Sequence, residues 1–491
     1  MKWKITAMLC SAMLISCTKN TADDFTVQNN WNINWIDVRD RQFYDEQGRT
    51  IQLRGINARL DGLFDVVHAD GRTANEIIPE TTEEDIKGMA AMGFNLLRLP
   101  INWSAYEPER NEINHAYIDR IKEVVGWCKD AGIYVQIDWH SDAYSKEMGE
   151  DGAPYWAIFP AAFPKAEGII DFDDLFAFRA NPFVFLAFHN FFINYDGYQD
   201  EFLDVWKDII REFKEENAVI GFEPANEPIC SAAGLSDAVL MRFYERCSRS
   251  MRSIDTRHSL WLEPDAIRNF TEVSPLLTTP FIDNKVVYCP HYYPNLTQGA
   301  SYAKVDVWKQ VMKKAMDRIV LEGQSWNAPV CMNEWGMNPS REAGAAYVVA
   351  FKEMAEDRNI HHAFWLWKEP LPGTSGKDGN WGFYEHISGN KQWAERTEAK
   401  NLFAVPYAMA IPGILIDHRF DLTANSLRFT FESNHSSSGP VIYIPDNRYS
   451  NGFEIRLNGV KVKYEKDEYG RVAVGWNPFI SDKVIIEVVP N

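Results

Sequence analysis

The sequence of this 491-residue chain predicts a (β/α)8 TIM barrel followed by a C-terminal antiparallel β-sandwich. Short apolar runs alternate with amphipathic helical segments over most of the chain, as in the βα units of a parallel barrel. After about residue 414 the pattern changes to short alternating runs separated by turns such as Asn458-Gly459. We expect the barrel at 31–410 and the sandwich at 411–491.

Eight apolar runs are predicted to be barrel strands, and functional residues are expected at their C-terminal ends. The predicted strands are 53–57, 94–100, 133–139, 219–224, 259–263, 286–291, 330–335 and 363–367. The predicted helices are 83–92, 115–131, 200–215, 236–254, 305–322, 345–358 and 391–403, with a weaker one near 266–276.

The longest insertion follows the third strand, from 140 to about 198, and contains ten of the 29 phenylalanines. Its position after a strand places it on the active face of the barrel. The rings have two interpretations: a core that folds the insertion onto the barrel, or the lining of an apolar subsite.

Composition excludes some partners. The formal net charge is -19, whereas proteins that bind nucleic acids have basic surfaces, so we expect no nucleic-acid partner. The seven cysteines include no CxxC pair and are too sparse for a disulfide scaffold. We expect no metal site, no cofactor and a monomer.

The first 17 residues have the features of a bacterial lipoprotein signal peptide. Lys2 and Lys4 precede an apolar run at 5–15 that is too short to span a membrane. The run leads into Leu-Ile-Ser-Cys17, which resembles the lipobox whose cysteine is acylated. An ordinary signal cleaved elsewhere is the alternative. We expect lipidation at Cys17, a polar tether at 18–30, and membrane association through this lipid anchor in the bacterial cell envelope.

Two glutamates lie at the predicted ends of strands four and seven, Glu227 in an Asn-Glu-Pro motif and Glu334 in an Asn-Glu-Trp-Gly motif. Each motif alone is weak evidence, because matches of three or four residues occur by chance in unrelated proteins. A glutamate at a strand end is also often a helix cap. Retaining hydrolysis of a glycoside requires two carboxyl groups about 5–5.5 Å apart, one protonated and one ionised. The two positions together therefore predict a glycosidase.

Other candidate residues share this rim. Arg98 ends strand two, and its charge would favour the ionised form of a nucleophilic carboxyl. His140 ends strand three, and His291 and Tyr293 end strand six, where they could orient the carboxylates and the sugar; the alternative for a histidine is a structural role. Trp365 ends strand eight and is either a stacking platform for a sugar or a buried core residue.

From about residue 52 to 490 the chain resembles glycoside hydrolase family 5, and within it the endoglycoceramidases. The resemblance rests on Leu-Arg-Gly-Ile-Asn at 53–57, Asp-Trp-His-Ser-Asp at 138–142, Asp-Gly-Ala-Pro-Tyr-Trp-Ala at 151–157, Asn-Glu-Pro at 226–228, Tyr-Cys-Pro-His-Tyr-Tyr-Pro at 288–294, Asn-Glu-Trp-Gly at 333–336 and Val-Pro-Tyr-Ala-Met-Ala-Ile-Pro-Gly at 405–413.

The resemblance implies a retaining endo-type β-glycosidase that hydrolyses the bond between oligosaccharide and ceramide in glycosphingolipids through a glycosyl-enzyme intermediate. It implies Glu227 as acid/base and Glu334 as nucleophile. The residues implied to contact the sugar beside the cleaved bond are His140, Asp142, Asn226, Tyr293 and Trp365, with Trp156 close by.

The chain also departs from the family pattern. Ser141 replaces a glutamine, and where some relatives have a lysine that touches the sugar this chain offers Arg59 or Asp61. These differences bear on which glycan is preferred. Two alternatives stay open: another family 5 β-glycosidase acting on glucosylceramide, a steryl glucoside or a β-glucan, and a non-catalytic surface lipoprotein that binds glycans.

Overall fold

The computed structural model describes residues 24–28, 33–168, 177–271, 281–293, 305–339, 342–369, 381–386 and 393–491. The predicted signal peptide with Cys17, and most of the predicted tether, lie outside these residues. Of the tether, residues 24–28 lie against the C-terminal domain, where the Phe25 ring is buried and Thr26 forms a β-bridge with Trp476. A flexible tether would therefore be shorter than 18–30.

Within the described residues, three short antiparallel strands precede the barrel: β1 (Ile36–Arg39), β2 (Gln42–Asp45) and β3 (Thr50–Ile51). The barrel itself consists of parallel strands, and their residues are almost all buried. These strands are β4 (Arg54–Asn57), β5 (Leu96–Ile101), β6 (Tyr134–Trp139), β7 (Val219–Glu223), β8 (Ser259–Leu262), β9 (Val286–Tyr288), β10 (Cys331–Trp335) and β11 (His361–Phe364).

Hydrogen bonding joins β4 through β9 in chain order, and β11 links β4 to β10 on the other side. Parallel bridges from Tyr288 to Val330 and from Tyr292 to Trp335 connect the two ends of this sheet. The predicted barrel is thus confirmed, and the C-terminal ends of β7 and β10 are brought to the same rim.

Helices cover the outside of the barrel. Their ends follow local signals: the helix at 115–131 begins after Asn114, whose side chain accepts from the backbone N–H of Tyr117, and ends at Gly132, which has a φ of 74°. Within the described residues each helix is too short or too polar to cross a bilayer. The helices are α1 (Glu83–Ala91), α2 (Trp103–Tyr106), α3 (His115–Ala131), α4 (Pro182–Phe192), α5 (Tyr198–Phe213), α6 (Asp237–Arg252), α7 (Ala266–Thr271), α8 (Val305–Ser325), α9 (Glu342–Glu356) and α10 (Thr397–Phe403).

The region after β11 differs from the prediction of a helix at 391–403. A small sheet forms from β12 (Lys368–Glu369), β13 (Tyr384–His386) and β14 (Trp393–Glu395). Because β14 pairs with β13, its residues are held extended, and α10 begins only at Thr397.

The C-terminal domain has two antiparallel sheets, as predicted. One has the order β1-β2-β3-β15-β18-β22-β21 and the other β16-β17-β23-β19-β20. The first includes the N-terminal strands, since β3 pairs with β15 and so covers its edge. The sandwich thus recruits residues 36–51, and the predicted boundary at 410/411 falls inside β15. These strands are β15 (Tyr407–Ile411), β16 (Gly413–Asp421), β17 (Ser426–Ser433), β18 (Val441–Tyr443), β19 (Phe453–Leu457), β20 (Val460–Lys461), β21 (Tyr464–Lys466), β22 (Arg471–Val474) and β23 (Lys483–Pro490).

Several phenylalanines of the insertion form a core. Phe191 lies edge-to-face with Phe202 of α5 and with Phe243 of α6, at centroid distances of 5.7 and 5.4 Å. This packing holds α4 against the barrel, which agrees with the first interpretation of the phenylalanine rings, a core that folds the insertion onto the barrel. Phe188 and Phe191 also line an apolar cavity that extends to His140, so the insertion reaches the rim of the site.

Candidate active site

The loop after β7 positions Glu227. Its φ of 39° lies in the left-handed region, which non-glycine residues seldom adopt and which is retained mainly where function requires it. The side chain is 5% exposed. Its Oε1 lies 3.0 Å from Nδ1 of His291.

Glu334 is the penultimate residue of β10 and is 6% exposed. Its Oε1 accepts a hydrogen bond from Nη1 of Arg98 at 2.8 Å, and its Oε2 accepts one from the hydroxyl of Tyr293 at 2.9 Å. Two donors of this kind favour the ionised carboxylate.

His291 joins the two carboxyl groups. Its Nδ1 lies 3.0 Å from Glu227 and 3.2 Å from Oε2 of Glu334, and its Nε2 lies 2.8 Å from Glu263. Oxygen atoms of Glu227 and Glu334 lie within 4.8 Å of each other. Burial opposes charge on His291, but the carboxyl groups of Glu263 and Glu334 raise its pKa well above the ordinary value, which favours the protonated ring.

The environment separates the two carboxyl groups. Burial would raise the pKa of Glu334, but His291 and Arg98 outweigh it and hold that pKa at about 2. Burial raises the pKa of Glu227 above its ordinary value, although Arg179 and His291 oppose the shift. A low pKa suits a nucleophile and a raised one suits a general acid.

Arg98 lies at the centre of the barrel and is fully buried. Besides Glu334 it contacts both Glu223 oxygens, at 3.0 and 3.1 Å, and Oδ2 of Asp138 at 3.0 Å. Its Nη2 also donates to Oδ1 of Asn226 at 2.8 Å. The guanidinium thereby fixes the residue that precedes Glu227 while it pairs with Glu334.

The predicted sugar contacts at strand three lie beside this centre. Nδ1 and Nε2 of His140 are 2.7 Å from Asp138 and 3.3 Å from Asp142, and Asn226 donates to Oδ1 of Asp142 at 2.8 Å. Ser141, where the family has glutamine, donates to the backbone oxygen of Asn226 at 3.1 Å.

Trp365 follows β11 and its ring stacks on His140, with a centroid distance of 5.5 Å and an interplanar angle of 8°. It is half-buried rather than a core residue. Arg59, one of the two residues considered in place of the lysine, places its guanidinium 5.6 Å from the Trp365 ring centroid. Asp61 is exposed.

Trp156 contacts residues other than the carboxyl pair, and its predicted place close to the sugar stays a prediction. In the described structure its indole N–H donates to the backbone oxygen of Glu107 at 3.2 Å, and its ring lies edge-to-face with Trp103 at 5.3 Å and near Arg110. None of these contacts reaches the other predicted site residues.

Sequence reasoning missed Arg179. Its Nη1 donates to Oε2 of Glu227 at 2.7 Å, its Nη2 donates to Asp142 at 2.6 Å, and it pairs with both oxygens of Glu150. A lone arginine within a phenylalanine-rich insertion on the active face was the available signal. Trp381, which stacks on Tyr293 at 5.6 Å, was also missed.

Histidine and carboxylate atoms gather closely enough to raise the question of a metal. In each group a guanidinium of Arg98 or Arg179 already pairs with a carboxylate, which disfavours another cation. The expectation of no metal site stays a prediction. The groups with ligand atoms within 4.8 Å are His140–Asp142–Asp151, Glu223–Glu263–His291 and Glu227–His291–Glu334.

A (β/α)8 barrel with buried glutamates from its fourth and seventh strands facing each other has the architecture of a glycoside hydrolase. Residues 44–370 match the family model of the cellulases (glycosyl hydrolase family 5), and residues 406–488 match that of the glycoside hydrolase family 5 C-terminal domain. The chain belongs to glycoside hydrolase family 5.

Similar proteins include an endoglycoceramidase of Hydra vulgaris, 30% identical over 225 residues, which are 38% of this chain and 43% of that protein. The match thus spans less than half of the Hydra protein. Endoglycoceramidase I of Rhodococcus hoagii is 23% identical over 85% of this chain and 81% of its own. The solved structure of endo-glycoceramidase II from Rhodococcus sp. has a TM-score of 0.72 at 23% identity, covering 91% of this chain and 99% of that one, which shows a shared fold.

Proposed function

We propose that the chain is a retaining endo-type β-glycosidase that hydrolyses the bond between oligosaccharide and ceramide in glycosphingolipids. The observation that carries the proposal is the carboxyl pair Glu227 and Glu334, with oxygens within 4.8 Å of each other. Retaining enzymes hold their carboxyl groups about 5–5.5 Å apart, and inverting enzymes about 6.5–9.5 Å apart. The short separation supports retention.

In the first half-reaction Glu334 is the nucleophile. Arg98 and His291 keep its carboxylate ionised, with a pKa of about 2, and Tyr293 orients it through a hydrogen bond of 2.9 Å. A Glu334 oxygen bonds to the anomeric carbon while the bond from that carbon to the aglycone oxygen breaks. Glu227 gives its proton to the departing oxygen.

In the second half-reaction Glu227, now ionised, removes a proton from water. The water oxygen bonds to the anomeric carbon as the ester to Glu334 breaks, so the sugar keeps its β configuration and Glu227 regains a proton. Each residue returns to its starting state.

The sugar beside the cleaved bond would lie over Trp365, whose half-buried ring suits the apolar face of a pyranose. His140, Asp142 and Asn226 form a connected polar edge that can bind hydroxyl groups. The family's endoglycoceramidases and the apolar insertion beside His140 support a lipid aglycone.

A substrate panel tests the proposal: gangliosides, globosides, lactosylceramide, glucosylceramide, a steryl glucoside and a β-glucan. Release of intact oligosaccharide and free ceramide is expected. Sugars removed one at a time from the far end would contradict the endo mode. Equal rates whatever the aglycone would favour another family 5 β-glycosidase.

The non-catalytic alternative predicts binding without turnover. Both carboxyl groups are present, with separated pKa values, which favours catalysis. Glu334→Gln is expected to reduce turnover by several powers of ten while it retains substrate binding. Turnover equal to that of the unaltered chain would refute the nucleophile.

We also propose that the protein is anchored in the bacterial cell envelope through acylated Cys17 and is monomeric. The charged, apolar and Leu-Ile-Ser-Cys segments of residues 1–17 support the anchor. Palmitate labelling of cells that express the chain is expected to mark it, and Cys17→Ala is expected to abolish the label. Labelling of the Cys17→Ala chain would rule out this site.

A further inference from the structure

Arg179 shields the acid/base from the open side of the site. The arginine side chain is 23% exposed, whereas those of its partners Glu227 and Glu150 are 5% and 4% exposed. Its Nε and Nη2 hold the two oxygens of Glu150 at 2.8 and 3.0 Å, and Nη2 also holds Asp142. The remaining arm, Nη1, is directed to Glu227 at 2.7 Å.

The two oxygens of Glu227 have different surroundings. Oε1 faces His291 at 3.0 Å and Nδ2 of Asn269 at 3.5 Å, toward the barrel. Oε2 contacts Arg179. The oxygen free to serve a leaving group is therefore Oε2, and it is the one that the guanidinium covers.

This contact conflicts with one of the two tasks of Glu227. A general acid must carry a proton, whereas a guanidinium at hydrogen-bond distance favours the carboxylate. A general base must be ionised, and in that step the contact with Arg179 favours the form of Glu227 that is needed. The charged or titratable groups that face Glu227 are Arg179 and Asp142 beside the insertion, His291 after β9, Glu263 after β8 and Glu334 on β10.

We propose that Arg179 is a positioning residue that withdraws from Oε2 of Glu227 when the aglycone enters and returns when it leaves. Because the guanidinium is planar and rigid, Nη1 leaves Oε2 only if the whole group turns, and the contacts of Nε and Nη2 to Glu150 and Asp142 shift with it. The proposal rests on the function proposed above, because it assigns one state to each half-reaction.

The protons balance through the cycle. With Arg179 withdrawn, Glu227 transfers its proton to the glycosidic oxygen as the bond to the anomeric carbon breaks. With Arg179 back on Oε2, the carboxylate accepts a proton from the attacking water, whose oxygen bonds to that carbon as the ester to Glu334 breaks. The proton gained is the one used in the next turnover.

The pH dependence of kcat/KM tests this for Arg179→Gln with lactosylceramide in detergent micelles. The alkaline limb reports loss of the Glu227 proton in the free enzyme. Removing the cation raises the pKa of that carboxyl, so the limb is expected to move to higher pH by about one unit. With 2,4-dinitrophenyl β-lactoside, whose leaving group needs no proton, neither enzyme should show that limb.

Two further variants keep the test decisive. Arg179→Lys retains a charge at Glu150 and Asp142 but has no second arm for Glu227, so it is expected to move the limb in the same direction even if Arg179→Gln does not fold. Arg49→Gln breaks the buried pair with Asp45 far from the site and is expected to leave the profile unchanged. If the Arg179 variants are active and their alkaline limb does not move, the inference about Arg179 is overturned and the proposed function is not. If the unaltered chain is inactive on both substrates, both the inference and the proposed function are overturned.

Discussion

Nη1 of Arg98 donates to Oε1 of Glu334 at 2.8 Å, and these side chains are 0% and 8% exposed. A buried carboxylate without a partner would be neutral at pH 7, since burial penalises its charge. Together with His291, this ion pair therefore favours the ionised form of the enclosed glutamate, as the proposed role of nucleophile requires.

Replacing Arg98 with lysine tests that relationship. The ammonium cannot make the forked contacts to Glu334, Glu223 and Asn226 at once, so the pKa of Glu334 is expected to rise. Because Glu334 must be ionised, the acid limb of kcat/KM should move to higher pH by about one unit, and kcat should fall on the order of 100-fold from misplacement. An acid limb that stays in place, in a variant shown by circular dichroism to be folded, would contradict the role given to Arg98.

Glu227→Ala tests the acid/base. Substrates with poor leaving groups need its proton, whereas dinitrophenyl glycosides do not, so the loss should be far larger for lactosylceramide. Azide can enter the space vacated by the carboxyl and attack the glycosyl-enzyme without a base. The product expected is a β-glycosyl azide, identified by NMR. An α-glycosyl azide, or equal losses on both substrates, would remove Glu227 from this role.

Trp365→Ala tests the sugar platform. The stacked ring is expected to contribute about 1 kcal/mol to binding, so KM should rise about 5-fold, with less change in kcat. Trp365→Phe should recover most of the loss. Trp127→Ala, which removes a comparably half-buried indole from α3, is the matched control and should leave KM unchanged.

The environment of Glu356 on α9 predicts that acid destabilises the junction of the barrel and the C-terminal domain. Glu356 pairs with Arg54 and lies 3.1 Å from His418 of β16. Burial would raise its pKa, but Arg54 and His418 lower it to about 2. Since the folded-state pKa is depressed, the stabilisation is complete above the unfolded-state value of about 4.3 and is lost as the pH falls toward 2.

The contribution is about 3 kcal/mol at neutral pH. Urea unfolding between pH 2 and 7 is expected to show a shallower loss of stability for Glu356→Gln than for the unaltered chain. Glu353→Gln changes an exposed carboxyl on the same helix and should retain the full pH dependence. Parallel curves for the Glu356→Gln and unaltered chains would show that this ion pair does not stabilise the junction.

Elements with local signals were predicted closely. The helix at 115–131 matches α3, because Asn114 and Gly132 mark its ends, and 219–224 differs from β7 by one residue. The pairing of β3 with β15 was not foreseen, since the register of Ile51 with Ala410 depends on the three-dimensional fold.

In the site, too, some residues could be predicted from the sequence and others depended on the three-dimensional fold. Glu227 and Glu334 could be placed from strand ends, because a barrel brings those ends to one rim. The Arg179–Glu227 contact could not, since no spacing rule relates an insertion residue to a strand end. Trp156 was expected near the sugar on resemblance alone, and its position against Trp103 depends on how the insertion folds.

The central claim is that Glu227 and Glu334 act on one anomeric carbon from opposite sides. Proton NMR of the sugar first released from a 4-nitrophenyl β-lactoside, recorded before the anomers equilibrate, tests it most directly. The account predicts the β-anomer first, followed by slow appearance of the α-anomer. If the α-anomer is formed first, the reaction inverts and the two carboxyl groups do not have these roles.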